Sequence, residues 1–399
     1  MRSLAERLDL LARAAAHEQD CGSQHGGMPA AGGIYRSVAG GRTVALLKVL
    51  QSTSCRGSCH YCTFRASHDV PRAQLGPDEM ARHFLDLLRR GAVEGLFLSS
   101  GIDGPPDRAM ARMVDTVELV RRSGFRGYVH LKILPGASDG AVERAVALAD
   151  RVSINLEAPR AETLSRLSPG KRLDEDILAP LRVAARAAAE AGLRSGITTQ
   201  FVVGAAGESD RELLQRASDL YREQLVRRCY FSPFSPPSAG PLAGVPAAPG
   251  IRAARLYEAD FLLRSYGFAA AEIPFRTDGL LDPTTDPKTT WAEQRPELFP
   301  VEVSSASREE LLRVPGIGPI GADRIVSARR TSKLRSPRDL ARLGVRHRRA
   351  SRFLTFDGRR FQGEQLELFG ASPGAVSPAT WPSPGTACPR EAARASAGA

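Results

Sequence analysis

Six short apolar runs recur along the N-terminal part of the chain: VALLKVL (44–50), GLFLS (95–99), YVHLKIL (128–134), RVSINLE (151–157), ITTQFVV (197–203) and RRCYFSPF (227–234). They have the length and near-continuous apolar character of parallel strands buried on both faces. Between them lie segments with a helical period, such as PDEMARHFLDLLRR (77–90), DRAMARMVDTVELVRR (107–122) and SDRELLQRASDLYREQ (209–224). Several open with Pro, Asp or Ser, the residues that start helices. Alternating β/α units predict an α/β fold, a partial (β/α)6 TIM-like barrel. Six units rather than eight make an open barrel the expectation.

The same patterning divides the rest of the chain. Residues 1–42 read as an N-terminal helix, with Leu4, Leu8 and Leu11 on one face, followed by a glycine-rich loop. The barrel is expected over 43–232. Residues 233–296 hold a Pro/Gly-rich linker, a helix at IRAARLYEADFLLRSYGF (251–268) and a polar connector. Residues 297–360 read as a small all-α domain, and 361–399, rich in Ala, Ser, Pro and Gly, as a disordered tail. No run of eighteen apolar residues occurs and the N-terminus lacks a signal-peptide pattern, so a cytoplasmic protein with no membrane span is expected.

Charge sharpens that division. Of a net charge of +11, residues 308–360 carry +10, from fifteen Arg or Lys against five Asp or Glu. A near-neutral barrel followed by a basic small domain predicts contact with a polyanion. In that domain, SREELLRVPGIGPIGADRIVSARR (307–330) places Pro315, Gly316, Ile317 and Gly318 between two amphipathic helices. Glycines in such a hairpin let backbone amides approach a phosphate, and Arg324, Arg329 and Arg330 are candidates for further phosphate contacts. This segment matches the helix-hairpin-helix motif of DNA-binding proteins.

Three of the six cysteines fall within eight residues, as C-x3-C-x2-C at Cys55, Cys59 and Cys62, directly after the first apolar run. Thiolates so spaced in a loop can converge on one metal centre. A structural zinc ion would want a fourth ligand, for which His60 is the nearest candidate. A [4Fe–4S] cluster held by three ligands instead keeps one iron open. Cys21 and Cys229 are isolated and read as ordinary thiols.

The loop resembles that of the radical S-adenosylmethionine superfamily, in which it follows the first barrel strand and an aromatic residue precedes the third cysteine; Tyr61 fills that position. The resemblance implies a [4Fe–4S] cluster, S-adenosylmethionine chelating the open iron, a 5′-deoxyadenosyl radical on reduction, and an electron donor such as a flavodoxin or ferredoxin. It implies cofactor contacts at the strand ends: Ser99, Ser100 and Gly101 for the methionyl amino group, and Lys132 for a carboxylate. Ser153, Asn155 and Glu157 then fall where ribose hydroxyls bind, and Gly204 where backbone nears the adenosine. Across residues 3–360 the chain is similar to a bacterial family of DNA modification and repair radical S-adenosylmethionine proteins with a C-terminal helix-hairpin-helix. CRGSCHYC, EGLFLSSGI, FRGYVHLKILPGAS, RVSINLEAP, FVVGAAGESDREL, RLYEADFLLRSYGF and FPVEVSSASREELLRVPGIG carry that likeness. It implies a DNA substrate and a uracil-DNA-glycosylase-like partner, with an RNA-modifying enzyme and a non-catalytic repair adaptor as alternatives. Finally, Gln365, Leu366, Leu368 and Phe369 (QLELF, 365–369) are similar to a sliding-clamp-binding peptide, whose apolar anchors would fill a groove on the clamp.

Overall fold

The computed structural model describes residues 2–15, 33–39 and 42–361. The clamp-like residues Gln365, Leu366, Leu368 and Phe369, together with Cys21, lie outside them. Helix α1 (Leu4–Ala14) precedes a seven-stranded sheet of sequential order: β1 (Ile34–Ala39), β2 (Arg42–Leu50), β3 (Gly95–Ser99), β4 (Tyr128–Lys132), β5 (Arg151–Ser153), β6 (Ile197–Val203) and β7 (Arg228–Pro233). Strands β2 to β7 run parallel, and helices α2 (Pro77–Arg89), α3 (Pro106–Arg122), α4 (Asp139–Leu148), α5 (Ala161–Leu167), α6 (Ala179–Ala191) and α7 (Asp210–Arg222) connect them. A π-helical turn, Leu173–Leu178, leads into α6. This is the expected partial barrel, its six parallel strands where the apolar runs stand.

Two local expectations change. Part of the stretch read as loop is β1, which pairs antiparallel with β2, so the sheet has seven strands and not six. Strand β5 stops at Ser153 rather than running on to Glu157. Glu157 has φ 67°, left-handed backbone that no strand contains and that a non-glycine residue adopts at a cost. Paired hydrogen bonds hold it there: Glu157 N–H donates to Gln200 O (2.9 Å), and Val202 N–H to Glu157 O (2.8 Å).

The helices start as their sequences dictate. Ser209 Oγ accepts from Glu212 N–H (3.2 Å) while the Glu212 carboxylate accepts from Ser209 N–H (2.8 Å), a reciprocal box that opens α7. Residues of β3 are buried throughout, as a central parallel strand requires.

Helix α8 (Gly250–Ser265) follows the Pro-rich segment and runs alongside α7 in the same direction, from the barrel mouth to the opposite end. At the mouth Arg252 pairs with Asp210 (2.7 Å); at the far end Asp260 meets Tyr221 and Arg264 (2.6 Å). Cys229 is fully buried at the start of β7, and its thiol is pushed well up by that burial. It lies in the core beside Tyr221, away from the mouth, and Tyr221 Oη accepts from its N–H (2.9 Å).

The C-terminal unit is fastened to that far end of α8. It contains α9 (Pro287–Glu293), β8 (Val301–Glu302), α10 (Arg308–Arg313), α11 (Pro319–Ala328), α12 (Pro337–Arg342), α13 (His347–Ala350), β9 (Leu354–Phe356) and β10 (Arg359–Arg360). The expectation of an all-α domain is corrected: β8, β9 and β10 form a small sheet that ties its entry to its exit. Strands of two or three residues leave no alternation to read. Arg313 stacks 3.9 Å from the Phe268 ring and pairs with Glu272 (2.7 Å), just beyond the α8 C-terminus. The buried Lys288 ammonium donates to Ile317 O (2.6 Å) and lies over the Tyr266 ring. Burial, with Arg313 nearby, pulls the pKa of Lys288 down to about 7.

Candidate functional site

Beyond Leu50 the chain leaves the sheet and forms the loop that carries the three cysteines. Its base is stitched to the barrel: Gln51 N–H donates to Ser99 O (2.7 Å), and Thr53 N–H to Ala73 O (2.9 Å). The Arg72 guanidinium closes it from inside, donating to Thr53 O (2.8 Å), Phe64 O (2.6 Å), Arg65 O (2.9 Å) and His68 O (2.7 Å). One side chain thus satisfies four carbonyls that no regular structure pairs. Replacing Arg72 by Ala is expected to lower stability by about 2–4 kcal/mol. A thermal melt of the metal-free protein, with the rate of iron uptake on reconstitution, checks this; an unchanged melt and unchanged uptake would contradict it.

Cys55, Cys59 and Cys62 are all free and half-buried. Gly57 lies between the first two: a Cβ there would stand 3.2 Å from Cys55 Sγ and 3.7 Å from Cys59 Sγ. Burial pushes the Cys62 thiol up to about 12, and the Cys59 and Cys55 sulfurs add to the shift. Crowded thiols of this kind are stabilised as thiolates once a cationic centre binds them. Among the described residues no three Cys, His, Asp or Glu side chains are grouped so as to share one metal ion. Around a single zinc the sulfurs would lie within about 4 Å of one another. His60 is also engaged elsewhere, its Nδ1 hydrogen-bonded to Arg166 O (2.9 Å). His60 is therefore not placed as a fourth zinc ligand.

The loop forms one wall of a cavity of about 590 Å³, the size of a small-molecule site. Of the residues selected from sequence, the three cysteines, Tyr61, Ser99, Ser100, Gly101, Lys132, Asn155 and Glu157 line it. Lys132 Nζ donates to Asn155 Oδ1 (2.6 Å). Glu157 is 4% exposed, and its Oε2 has no hydrogen-bond partner among the described residues while its Oε1 lies 3.5 Å from Lys171 Nζ. A buried carboxylate oxygen left open at a cavity wall is an acceptor awaiting a donor. Together with the sulfurs around Gly57, it fits a ligand that carries hydroxyl or amino groups and stands beside a cluster.

Gly101 has a second task, because a Cβ there would fall 2.4 Å from Ser54 O. Only glycine lets the end of β3 touch the cysteine loop.

Other selected residues stand apart from the cavity. Ser153 turns to His130, its Oγ 2.8 Å from Nε2. Gly204, at φ 93°, donates its amide to Glu208 in the turn that follows β6. In the C-terminal unit, Gly316 takes φ 88° between α10 and α11, where a Cβ would stand 3.0 Å from Arg346 O. Pro315 precedes it, Ile317 is buried, and Gly318 precedes the first turn of α11. Arg324 donates to Leu343 O (2.9 Å), and Arg329 to Val303 O (3.3 Å) and Ala306 O (2.5 Å). Those two arginines brace their own domain; Arg330 is exposed.

Sequence reading overlooked the turn after α5. Ser168 Oγ lies 3.1 Å from Cys59 Sγ, and Lys171 Nζ lies 3.4 Å from Tyr61 Oη. Nothing in LSPGKR (167–172) marks it as a neighbour of a loop over a hundred residues earlier.

A model of the Radical SAM superfamily matches residues 49–220. Among solved structures, the chain is similar to HydG, a maturase of the [FeFe]-hydrogenase (16% identity, 54% of this chain and 48% of that one, TM-score 0.44). It is also similar to methylornithine synthase PylB (15% identity, 54% and 60%, TM-score 0.45). A third is the HydG of Carboxydothermus hydrogenoformans (16% identity, 54% and 50%, TM-score 0.43). The chain spans about half the length of these proteins. No curated protein matches it. The family match begins at the end of β2 and takes in the cysteine loop and strands β3 to β6. Residues 49–220 are therefore a radical SAM domain, an enzyme domain whose cofactors are a [4Fe–4S] cluster and S-adenosylmethionine.

Proposed function

We propose that the protein is a radical enzyme that modifies or repairs a nucleotide in DNA, with the basic C-terminal unit holding the nucleic acid. The observation that carries this reading is the concentration of +10 of the net charge in residues 308–360, on a unit fastened to the end of α8. Arg330, Arg346 and Arg348 are exposed there and make no ion pair among the described residues. Such side chains neutralise phosphates without reading sequence.

When bound, the cluster and S-adenosylmethionine supply a carbon-centred radical that abstracts hydrogen. Cys55, Cys59 and Cys62 would hold the cluster. Glu157 Oε2 would accept from hydroxyls of the adenosyl ribose, Lys132 would offset the methionyl carboxylate, and Tyr61 would pack beside the nucleoside. A duplex base is inaccessible to a cavity of this kind, so the target is extruded or already unpaired.

The hairpin Pro315–Gly318 meets α8 at its far end, where Tyr266 and Gly267 lie, and a sixteen-residue helix is about 24 Å long. DNA held at the hairpin must therefore extend along the side of the barrel before a nucleotide reaches the mouth.

Arg346→Glu with Arg348→Glu is expected to weaken duplex binding at least tenfold at low salt and to reduce the salt slope by about two. Fluorescence anisotropy with labelled duplex across a salt series measures both. The variant should still cleave S-adenosylmethionine in the absence of DNA. Salt-insensitive binding, or tighter binding of competing tRNA than of duplex, contradicts the DNA reading.

A further inference from the structure

The turn that follows α5 touches the cysteine loop at every residue from Arg166 to Lys171 save one. His60 N–H donates to Leu167 O (2.7 Å), and His60 Nδ1 lies 2.9 Å from Arg166 O. A Cβ on Gly170 would stand 3.0 Å from Ser58 Oγ, so glycine permits the close approach. Lys171 N–H closes the turn on Ser168 O (3.0 Å). Two polar groups are thereby delivered to sulfur. Ser168, 1% exposed, holds its hydroxyl 3.1 Å from Cys59 Sγ. The Lys171 ammonium, whose side chain is 16% exposed, lies 3.4 Å from Tyr61 Oη, between Cys59 and Cys62 in the chain, and 3.5 Å from Glu157 Oε1.

We infer that Ser168 and Lys171 are positioning residues that set the reduction potential of the cluster, by donating a hydrogen bond and a positive charge to its Cys59 and Cys62 ligands. A ligating cysteine is a thiolate and can only accept, so the Ser168 hydroxyl is the donor in that pair. One-electron reduction of a [4Fe–4S] centre adds one negative charge that its ligand sulfurs share. Hydrogen bonds to those sulfurs and a buried cation beside them stabilise the reduced form more than the oxidised one, which raises the potential. The electron comes from an external one-electron donor, dithionite in the experiment below. No covalent bond of the protein forms or breaks. Burial matters here because it keeps the charge–charge contact from being screened by water.

The experiment is a potentiometric titration of the reconstituted full-length protein, without S-adenosylmethionine, followed by the electron paramagnetic resonance of the reduced cluster. Iron and sulfide analysis first establishes that each variant holds four irons. Ser168→Ala is expected to move the midpoint to more negative potential, so that the ratio of reduced to oxidised cluster at the wild-type midpoint falls roughly fivefold. Lys171→Met should move it further in the same direction, and Lys171→Arg should restore most of the wild-type value. Should Lys171→Met fail to retain iron, Ser168→Ala and Lys171→Arg decide the matter, since they delete one oxygen and keep the charge. A fully loaded Ser168→Ala cluster with the wild-type potential, or a Lys171→Arg cluster as displaced as Lys171→Met, overturns the inference. A purely structural role would change loading and leave the potential of the loaded fraction where it was.

Discussion

Alanine at Cys62 will leave the reconstituted protein without a four-iron centre and reduce its cleavage of S-adenosylmethionine to the background of a protein-free mixture. Cys62 ends the C-x3-C-x2-C loop, and burial, with Cys59 and Cys55 nearby, raises its thiol pKa. Two thiolates cannot replace three around a cubane without recruiting a further ligand. The nearest substitute, His60, is tied to Arg166 O. The fold should survive, because Gln51, Thr53 and Arg72 hold the loop by contacts that leave the cysteines free. Iron and sulfide analysis, the visible absorption and a circular dichroism spectrum test this together. A folded Cys62→Ala protein with wild-type iron content would contradict it.

Glu157→Ala will weaken the affinity of the cluster-loaded protein for S-adenosylmethionine about ten- to a hundredfold, the value of a hydrogen bond to a buried charge. The substitution is unusually clean. Alanine at φ 67° is strained much as glutamate is, so the backbone cost remains on both sides of the comparison. The backbone bonds to Gln200 and Val202 do not involve the side chain. What disappears is Oε2, which has no hydrogen-bond partner among the described residues, and Oε1, which faces Lys171. Equilibrium dialysis of the loaded protein measures the change. Glu157→Gln, which keeps an acceptor and loses the charge, should fall between. Wild-type affinity in both variants would place the carboxylate outside the cofactor site.

Continuous apolar runs such as GLFLS made the six parallel strands legible, because a strand buried on both faces needs no alternation. Strand β1 was not legible: IYRSVA is six residues long, and among the described residues it pairs only with the antiparallel β2. The spacing of the cysteines marked a loop that the structure sets on the wall of the cavity. Ser168 and Lys171 gave no such signal, standing 109 and 110 residues from Cys59 and Tyr61. Only the path of the chain from β5 through α5 brings them back.

Local charge has the same limitation. It marked residues 308–360 as basic, yet it could not separate Arg329, which holds Val303 O and Ala306 O, from Arg348, which is exposed. Gly101 illustrates a third case: a glycine selected as a ligand contact is also required because Ser54 O occupies the space of a side chain.

The expectation beneath these predictions is that Cys55, Cys59 and Cys62 hold a cluster that cleaves S-adenosylmethionine. Its most direct test is anaerobic reconstitution with iron and sulfide, reduction with dithionite, addition of S-adenosylmethionine, and quantification of 5′-deoxyadenosine and methionine. Both products are expected in equal amounts from the wild-type protein and at background from Cys62→Ala. A wild-type protein that holds four irons per chain, is reduced by dithionite and forms no 5′-deoxyadenosine would contradict it.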